Sequence, residues 1–437
     1  MWGKEQIEFL QKKNYLKKNE TLENKIKTIG DVIRTYEKNY SEGLGDRIEN
    51  LIKRQIFCLS TPQLANLGNY SEEGSSPLNA SCNIITVPNS IQGIYYSIGE
   101  TAMLSKLGAG VGANFVNISD KGTLLKEGFY SNSKLDWIED LVRASQKVSQ
   151  GGTRKGYSVP FISIEDKEFD DFLERLDKKN PNKKDPFVDN NGGIILPKGF
   201  RQKVKGGDKE AQRRFLKVLE ARKEKGKIYI LDVENCNKNN SPVYSKLEQE
   251  VNSTNICCEM TTPSYTDKTF TCVLASLNLK YWDTIKENPQ IIEDAVMFLD
   301  IMVEEYIKLS EGIPFLEKAR KSAIEKRDIS LGTMGFHEYL QMNNCAFGDF
   351  RSKILNKEIY STIRKHAEVI TTELGFTLGS PKLCEEARLV RRNVSLLTVA
   401  PNKSTSFIFG NTSLGIEPFL SNYFVKEIGR ASCRKRV

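Results

Sequence analysis

Apolar positions in the first sixty residues recur with a helical period. Leu22, Ile26, Ile29, Val32, Ile33 and Tyr36 form one stripe behind Thr21, whose side-chain oxygen suits an N-cap. A second helix is expected after Gly45, through Ile48, Leu51, Ile52 and Ile56, and the run Thr61-Pro62-Gln63-Leu64-Ala65-Asn66-Leu67-Gly68 is expected to end it. A polar, Gly/Ser-rich insert reaches Asn79. From Ala80 onward short apolar runs alternate with helical patterns, the texture of an α/β domain. The pattern predicts strands over 81–87, 157–164 and 394–401. It predicts helices over 91–106, 135–148, 289–309 and 354–374. The domains expected are a helical unit over 1–75 and an α/β unit over 76–426.

Two glycine-rich stretches interrupt this pattern. Gly108-Ala109-Gly110-Val111-Gly112-Ala113 looks like a dinucleotide loop, but it follows a helix and precedes an apolar run. A dinucleotide loop needs the reverse order, so that phosphate meets a helix N-terminus. Close approach of another backbone is the better expectation. Ser149-Gln150-Gly151-Gly152-Thr153-Arg154-Lys155-Gly156 is basic and flexible enough to close over a phosphorylated ligand, and a solvated turn explains it equally well. After the strand expected over 394–401, Asn402-Lys403-Ser404-Thr405-Ser406 could form either a phosphate cradle or a polar capping loop.

Composition narrows the picture. The 437 residues carry a net charge of +8, but no basic helix or aromatic-interleaved stripe accompanies it, so direct nucleic-acid binding is not expected. No apolar run approaches membrane-spanning length. Nine scattered cysteines without a secretory leader point to a reducing cytoplasm. Two distant histidines, His337 and His366, and no zinc-like spacing argue against a protein-held metal.

One five-residue stretch carries candidate chemistry: Asn255-Ile256-Cys257-Cys258-Glu259. If extended, it would turn an amide, a thiol and a carboxylate to one side while Ile256 and Cys258 point away. Taken alone, it reads first as a buried strand end with core cysteines.

Taken with other segments, the stretch resembles the large, catalytic subunit of ribonucleotide reductase, of the kind served by a separate small subunit. The resemblance rests on Asn255-x-Cys257-x-Glu259, Cys82 far upstream, and Cys272 within Thr271-Cys272-Val273-Leu274-Ala275-Ser276-Leu277-Asn278-Leu279. Thr61-Pro62, Asn89-Ser90-Ile91-Gln92-Gly93, Ala109-Gly110-Val111-Gly112, Gln150-Gly151-Gly152-Thr153-Arg154 and Ala400-Pro401-Asn402-Lys403-Ser404-Thr405 support it, in the family's order.

The resemblance implies a fold and a set of roles. The fold would be α/β: an N-terminal helical domain, then a ten-stranded α/β barrel, incomplete at its C-terminus, with a central finger loop. Cys257 would carry a thiyl radical, Glu259 would take a proton from the ribose 3′-hydroxyl, and Asn255 would hold the substrate hydroxyls. Cys82 and Cys272 would be the redox pair that becomes a disulfide each turnover. Thr61, Ser81, Gly110, Asn402, Lys403, Ser404 and Thr405 would line a ribonucleoside diphosphate. Asn89, Ser90, Ile91, Lys106 and Arg154 would serve a specificity effector, a deoxynucleotide triphosphate or ATP, with Ser119 departing from the family's usual arginine.

The chain itself would bind no cofactor. A metal-containing small subunit would supply the radical, thioredoxin or glutaredoxin would be the reductant, and the protein would be a homodimer. Ile256 and Cys258 depart from the Pro and Gly usual in the cobalamin-dependent branch, which remains the alternative, beside a non-catalytic nucleotide-binding fragment. Residues 427–437 fit no family segment and resemble a translated sequencing adapter, so the expectation is a truncated reading frame with a non-native tail, inactive alone.

Overall fold

The computed structural model describes residues 2–69, 78–80, 82–125, 128–150, 154–177, 180, 182, 184–226, 228–419, 421, 423–428 and 431–436. Four helices open the chain: α1 (Lys4–Lys12), α2 (Leu22–Arg34), α3 (Leu44–Lys53) and α4 (Thr61–Asn66). Thr21 caps α2 as its side chain predicts, accepting from the Asn24 N–H at 3.1 Å. Ile26, Ile29 and Ile33 of α2 face Ile48, Leu51 and Ile52 of α3 in one buried layer.

The stretch expected to end a helix is itself α4. Pro62 sits in the first turn, where its missing N–H costs nothing, and Gln63 accepts from the Ser60 N–H at 3.1 Å. The preceding helix has already stopped at Lys53, with the strand Phe57–Leu59 between the two, so this stretch starts a helix and does not end one.

Among the described residues fourteen strands are formed, the first of them between α3 and α4. They are β1 (Phe57–Leu59), β2 (Cys82–Thr86), β3 (Gly110–Asn114), β4 (Ser149–Gln150), β5 (Arg154–Lys155), β6 (Tyr157–Ser163), β7 (Gly192–Leu196), β8 (Ile228–Asp232), β9 (Ser253–Thr254), β10 (Thr261–Thr262), β11 (Phe270–Asn278), β12 (Ile329–Met334), β13 (Tyr423–Ile428) and β14 (Ala431–Arg436). Strands β2, β3, β6, β7 and β8 lie side by side in parallel. Helices α5 (Ile91–Lys106) and α6 (Lys134–Lys147) make the first two crossovers.

Strand β11 joins this set to a second. One of its edges pairs antiparallel with β2 through Phe270, Thr271 and Cys272, and with β1 through Ala275, Ser276 and Leu277. Its other edge pairs in parallel with β12. The result is one curled sheet of eight strands. Residues 394–401, expected to be a strand, contribute only an isolated bridge from Leu397 to Leu331 among the described residues. Pro401 offers no donor, and the Asn402 side chain takes the Ala400 carbonyl at 3.1 Å, so the ladder stops there.

The helix Gln290–Leu309 lies behind β11 and β12 and is buried along most of its length. The N-terminal helices and the sheet share one continuous hydrophobic core. No helix among the described residues is long and apolar enough to cross a membrane. Strands β13 and β14 pair with each other.

A hairpin inside a curled sheet as candidate active site

Strands β9 and β10 form a two-rung hairpin, Thr254 opposite Thr261 and Ser253 opposite Thr262. Residues 255–259 are its tip, a tight turn rather than the extended segment expected. The Cys258 N–H donates to the Asn255 carbonyl at 3.1 Å, and Cys258 adopts φ +64°. The reason lies in Asn255, which folds the tip on itself. Its side-chain oxygen accepts from the Met260 N–H at 3.2 Å, and its amide donates to Glu259 Oε1 at 2.7 Å. The amide and the carboxylate still meet, but through the turn.

The glycines explain how the hairpin fits. A Cβ at Gly112 would lie 2.4 Å from the Thr254 carbonyl oxygen, and one at Gly110 would lie 2.4 Å from Ile256 Cδ1. Any side chain on β3 at these points would push the tip away. The expected close backbone approach is what occurs. At its base the hairpin is tied to the sheet: Asn114 donates to the Asn252 carbonyl at 3.1 Å, and Thr86 to Ser264 at 2.7 Å.

Asn255 is fully buried and Glu259 half-buried. Burial raises the Glu259 pKa above the usual carboxylate range, and the Asn255 hydrogen bond opposes that rise. Glu259 Oε2 is buried with no hydrogen-bond partner, so one lone-pair site remains for a proton on a bound molecule. Glu259 also opens onto a cavity of about 230 Å³ shared with Tyr244, Thr261 and Ser330.

Cys257, half-buried at the tip, lies close enough to Tyr157 and Tyr229 that its charge adds to the burial raising both phenols, Tyr157 to about 12. Asn191 orients these rings, donating from its backbone to Tyr157 at 2.9 Å and from its side chain to Tyr229 at 3.2 Å. No sequence signal singled out these three residues; their strands look like ordinary packing. Cys258 turns to the Ile230 carbonyl, Sγ to O 3.9 Å, within a packed cluster.

Cys82 and Cys272 are direct partners on the antiparallel β2–β11 ladder. Such partners have Cα atoms about 4.5–5.5 Å apart, within the range a disulfide spans; in the structure no disulfide joins them. Burial pushes the Cys272 thiol well up, and the Ser330 hydroxyl opposes this, followed by the charges of Asp328, Cys82 and Glu259, which raise it. Thr61 belongs to the same neighbourhood, because β1 leaves β11 at Ala275 three residues from Cys272.

The loop 402–405 sits where β11 and β12 end. Asn402 is buried, its amide donating to the Thr333 carbonyl at 3.0 Å and its oxygen accepting from Ser276 at 3.0 Å. Its side chain therefore shapes the loop, while Lys403 is exposed, Ser404 half-buried and Thr405 buried.

Asn89 and Ser119 bond each other twice, at 2.8 and 3.1 Å, and Ser90 caps α5 with its hydroxyl accepting from Gly93 at 3.1 Å. Ile91 and Lys106 are the two ends of α5, about 22 Å apart at 1.5 Å per residue. One chain does not bring them to a single ligand. Ser81 and the side chain of Arg154 lie outside the described residues.

A curled α/β sheet that holds a thiol-bearing hairpin beside two cysteines paired across a ladder defines a class by its fold: a barrel-type α/β domain with its candidate site inside the sheet. Residues 80–212 and 208–385 match the family model "Ribonucleotide reductase, barrel domain". The chain belongs to that family.

Among solved structures it resembles the Actinobacillus ureae class Id ribonucleotide reductase alpha subunit, with TM-score 0.87 and 30% identity over 97% of this chain and 76% of that one. The ribonucleoside-diphosphate reductase large subunit of Invertebrate iridescent virus 3 is 32% identical over 211 residues, 48% of this chain and 33% of its own length. A vitamin B12-dependent ribonucleoside-diphosphate reductase of Mycobacterium tuberculosis is 24% identical over 421 residues, 90% of this chain and 57% of its own. The chain thus spans between a third and somewhat over half of these two curated relatives.

Proposed function

We propose that this chain is the catalytic part of an enzyme that reduces ribonucleoside diphosphates to 2′-deoxyribonucleoside diphosphates for DNA precursor synthesis. The observation that carries the reading is the direct pairing of Cys82 with Cys272 beside the hairpin that bears Cys257 and the Asn255–Glu259 bond. The substrate's phosphates go to the 403–405 loop, with Thr61, Ser81 and Gly110 alongside. Asn255 helps hold the ribose hydroxyls.

A thiyl radical on Cys257 takes the ribose 3′-hydrogen. Glu259, its basicity raised by burial, takes the 3′-hydroxyl proton. The 2′-hydroxyl leaves as water with a proton from the Cys82–Cys272 pair. As those thiols close to a disulfide, they supply two electrons, and Cys257 returns hydrogen to C3′. Net, nucleotide and dithiol become deoxynucleotide, disulfide and water. A water-poor pocket protects the radical.

The radical comes from a metal-containing small subunit, thioredoxin or glutaredoxin restores the dithiol, and a deoxynucleotide triphosphate or ATP acts as effector at Asn89, Ser90, Ile91, Lys106 and Arg154. The working form is a cytoplasmic homodimer. A second reading, cobalamin as radical source, is favoured by the match to a vitamin B12-dependent relative.

Cys257→Ser in full-length protein, assayed with small subunit, reductant and effector, is expected to abolish nucleotide reduction. Normal turnover by that variant would overturn the thiyl-radical reading. Turnover that requires adenosylcobalamin and no small subunit would establish the second.

A further inference from the structure

Cys272 is 1% exposed and points to the inner face of the sheet, where one side chain hydrogen-bonds it. Its Sγ–H reaches Ser330 Oγ at 2.9 Å, and the other contact is the Val273 carbonyl at 3.1 Å. The Ser330 hydroxyl in turn donates to Met260 Sδ at 3.4 Å, and Met260 directly follows Glu259 on the hairpin. Ser330 is itself buried, yet it lines the 230 Å³ cavity that also touches Glu259. A single hydroxyl therefore links the buried thiol, the hairpin and the cavity.

We propose that Ser330 is a positioning residue for the dithiol: it holds Cys272 opposite Cys82 and stabilises the Cys272 thiolate that closes the disulfide. The inference rests on the reading of Cys82 and Cys272 as a redox pair. The chemistry follows from what a hydroxyl can do. It accepts from the neutral thiol and, by rotating, donates to the thiolate, whereas the Val273 carbonyl can only accept.

Disulfide closure needs that thiolate. With a small disulfide as oxidant, the Cys82 thiolate attacks it, forms a mixed disulfide and expels one thiolate. The Cys272 thiolate then attacks the Cys82 sulfur and expels the second. Two protein thiols are oxidised, the reagent is reduced to two thiols, and the two protons pass to those products. Without Ser330 the second step has no side-chain donor to assist it. The other ionisable groups facing Cys272 are Asp328 beside β12, Cys82 on β2 and Glu259 on the hairpin, and their charges all disfavour the thiolate.

The test uses the full 437-residue chain, reduced and then exposed to 2-hydroxyethyl disulfide between pH 7 and 10. Peptide mapping follows the Cys82–Cys272 bond and the mixed disulfide on Cys82. Ser330→Ala should close the bond about tenfold more slowly, a hydrogen bond to a charged group being worth that or more. The mixed disulfide should accumulate and the pH profile should move upward. Ser330→Gly should behave alike, which covers failure of the alanine variant to fold, and Ser330→Thr should restore the parent rate. An unchanged rate and pH profile in the hydroxyl-free variants would overturn the proposal while leaving the redox pair standing. A parent chain that never forms the Cys82–Cys272 bond would instead overturn the redox pair, and this proposal with it.

Discussion

The seam between the N-terminal helices and the helix Gln290–Leu309 buries carboxylates, and so does the hairpin in the sheet, yet the two regions treat them oppositely. Asp300 on the seam is fully buried and accepts five hydrogen bonds. Arg327 gives two, at 2.9 and 3.0 Å, while Asn393, Tyr40 and Arg392 donate at 2.7, 2.6 and 3.2 Å. Burial alone would raise its pKa, but the Arg327 charge and the donors hold it below the usual carboxylate value. Glu259 on the hairpin has Asn255 on one oxygen and nothing on the other, and its pKa goes up. The seam satisfies its acid completely and gains rigidity. The hairpin leaves capacity free, which costs stability and serves a reaction.

The largest stability effect expected comes from breaking the satisfied side. Asp300→Ala takes the shared carboxylate from Arg327 (5% exposed) and Arg392, leaving both with the partly exposed Glu304 alone. A loss of about 3–5 kcal/mol is expected, because the Arg327 cation stays buried with most of its donors unpaired. Urea unfolding at neutral pH measures it. The sign with pH is fixed by the lowered pKa: Asp300's contribution is present above its unfolded pKa and is lost as pH falls through the folded value. The variant should therefore differ from the parent less in strong acid than at pH 7. A loss below 1 kcal/mol at pH 7 would mean the seam is no anchor.

Next comes a buried acid outside both regions. Glu100 on α5 has no well-formed hydrogen bond on either oxygen, and burial pushes it up to about 7 against a weak opposing contact from the Thr269 hydroxyl. A raised folded pKa means the protonated form is the one that fits. The group is harmless below its unfolded value of about 4.3 and costs progressively more as pH rises to 7. That interval of between two and three pH units corresponds to about 3–4 kcal/mol. Glu100→Gln should remove this slope, so that parent and variant are close at pH 4.5 and the variant is more stable at pH 8. Equal pH slopes in urea midpoints would show that Glu100 is ionised in the fold.

Which parts of this contrast were legible in the sequence follows from how local each signal is. The α2 stripe, the Thr21 cap and the 91–106 helix need only neighbours in the chain, and all three occur. The order of helix and glycines around 108–112 was enough to reject a phosphate loop, and the Gly110 and Gly112 contacts supply the reason. The turn at 255–259 was misjudged because Asn255 closes it through its own side chain, which a period-two pattern does not register. Asp300, Glu100, Tyr157 and Ser330 gave no signal at all. Each matters through a partner between 27 and 260 residues away in the chain, or through the lack of one.

The smallest stability effect should belong to the residue with the largest chemical role. Glu259→Gln keeps the side chain's shape and can still accept from Asn255 through its carbonyl oxygen. It removes a carboxylate whose raised pKa works against the fold near neutrality, since that penalty is absent below the unfolded pKa and appears as pH rises through the folded one. The variant should therefore unfold within about 1 kcal/mol of the parent, on the stable side, at pH 7. Nucleotide reduction by the full-length enzyme should nonetheless fall by about a hundredfold or more, the usual loss when a general base is removed. If Glu259→Gln instead destabilised the chain as Asp300→Ala does and left turnover intact, the contrast would be reversed: Glu259 would be a structural acid, and the proton acceptor would have to be sought among the other groups lining the cavity.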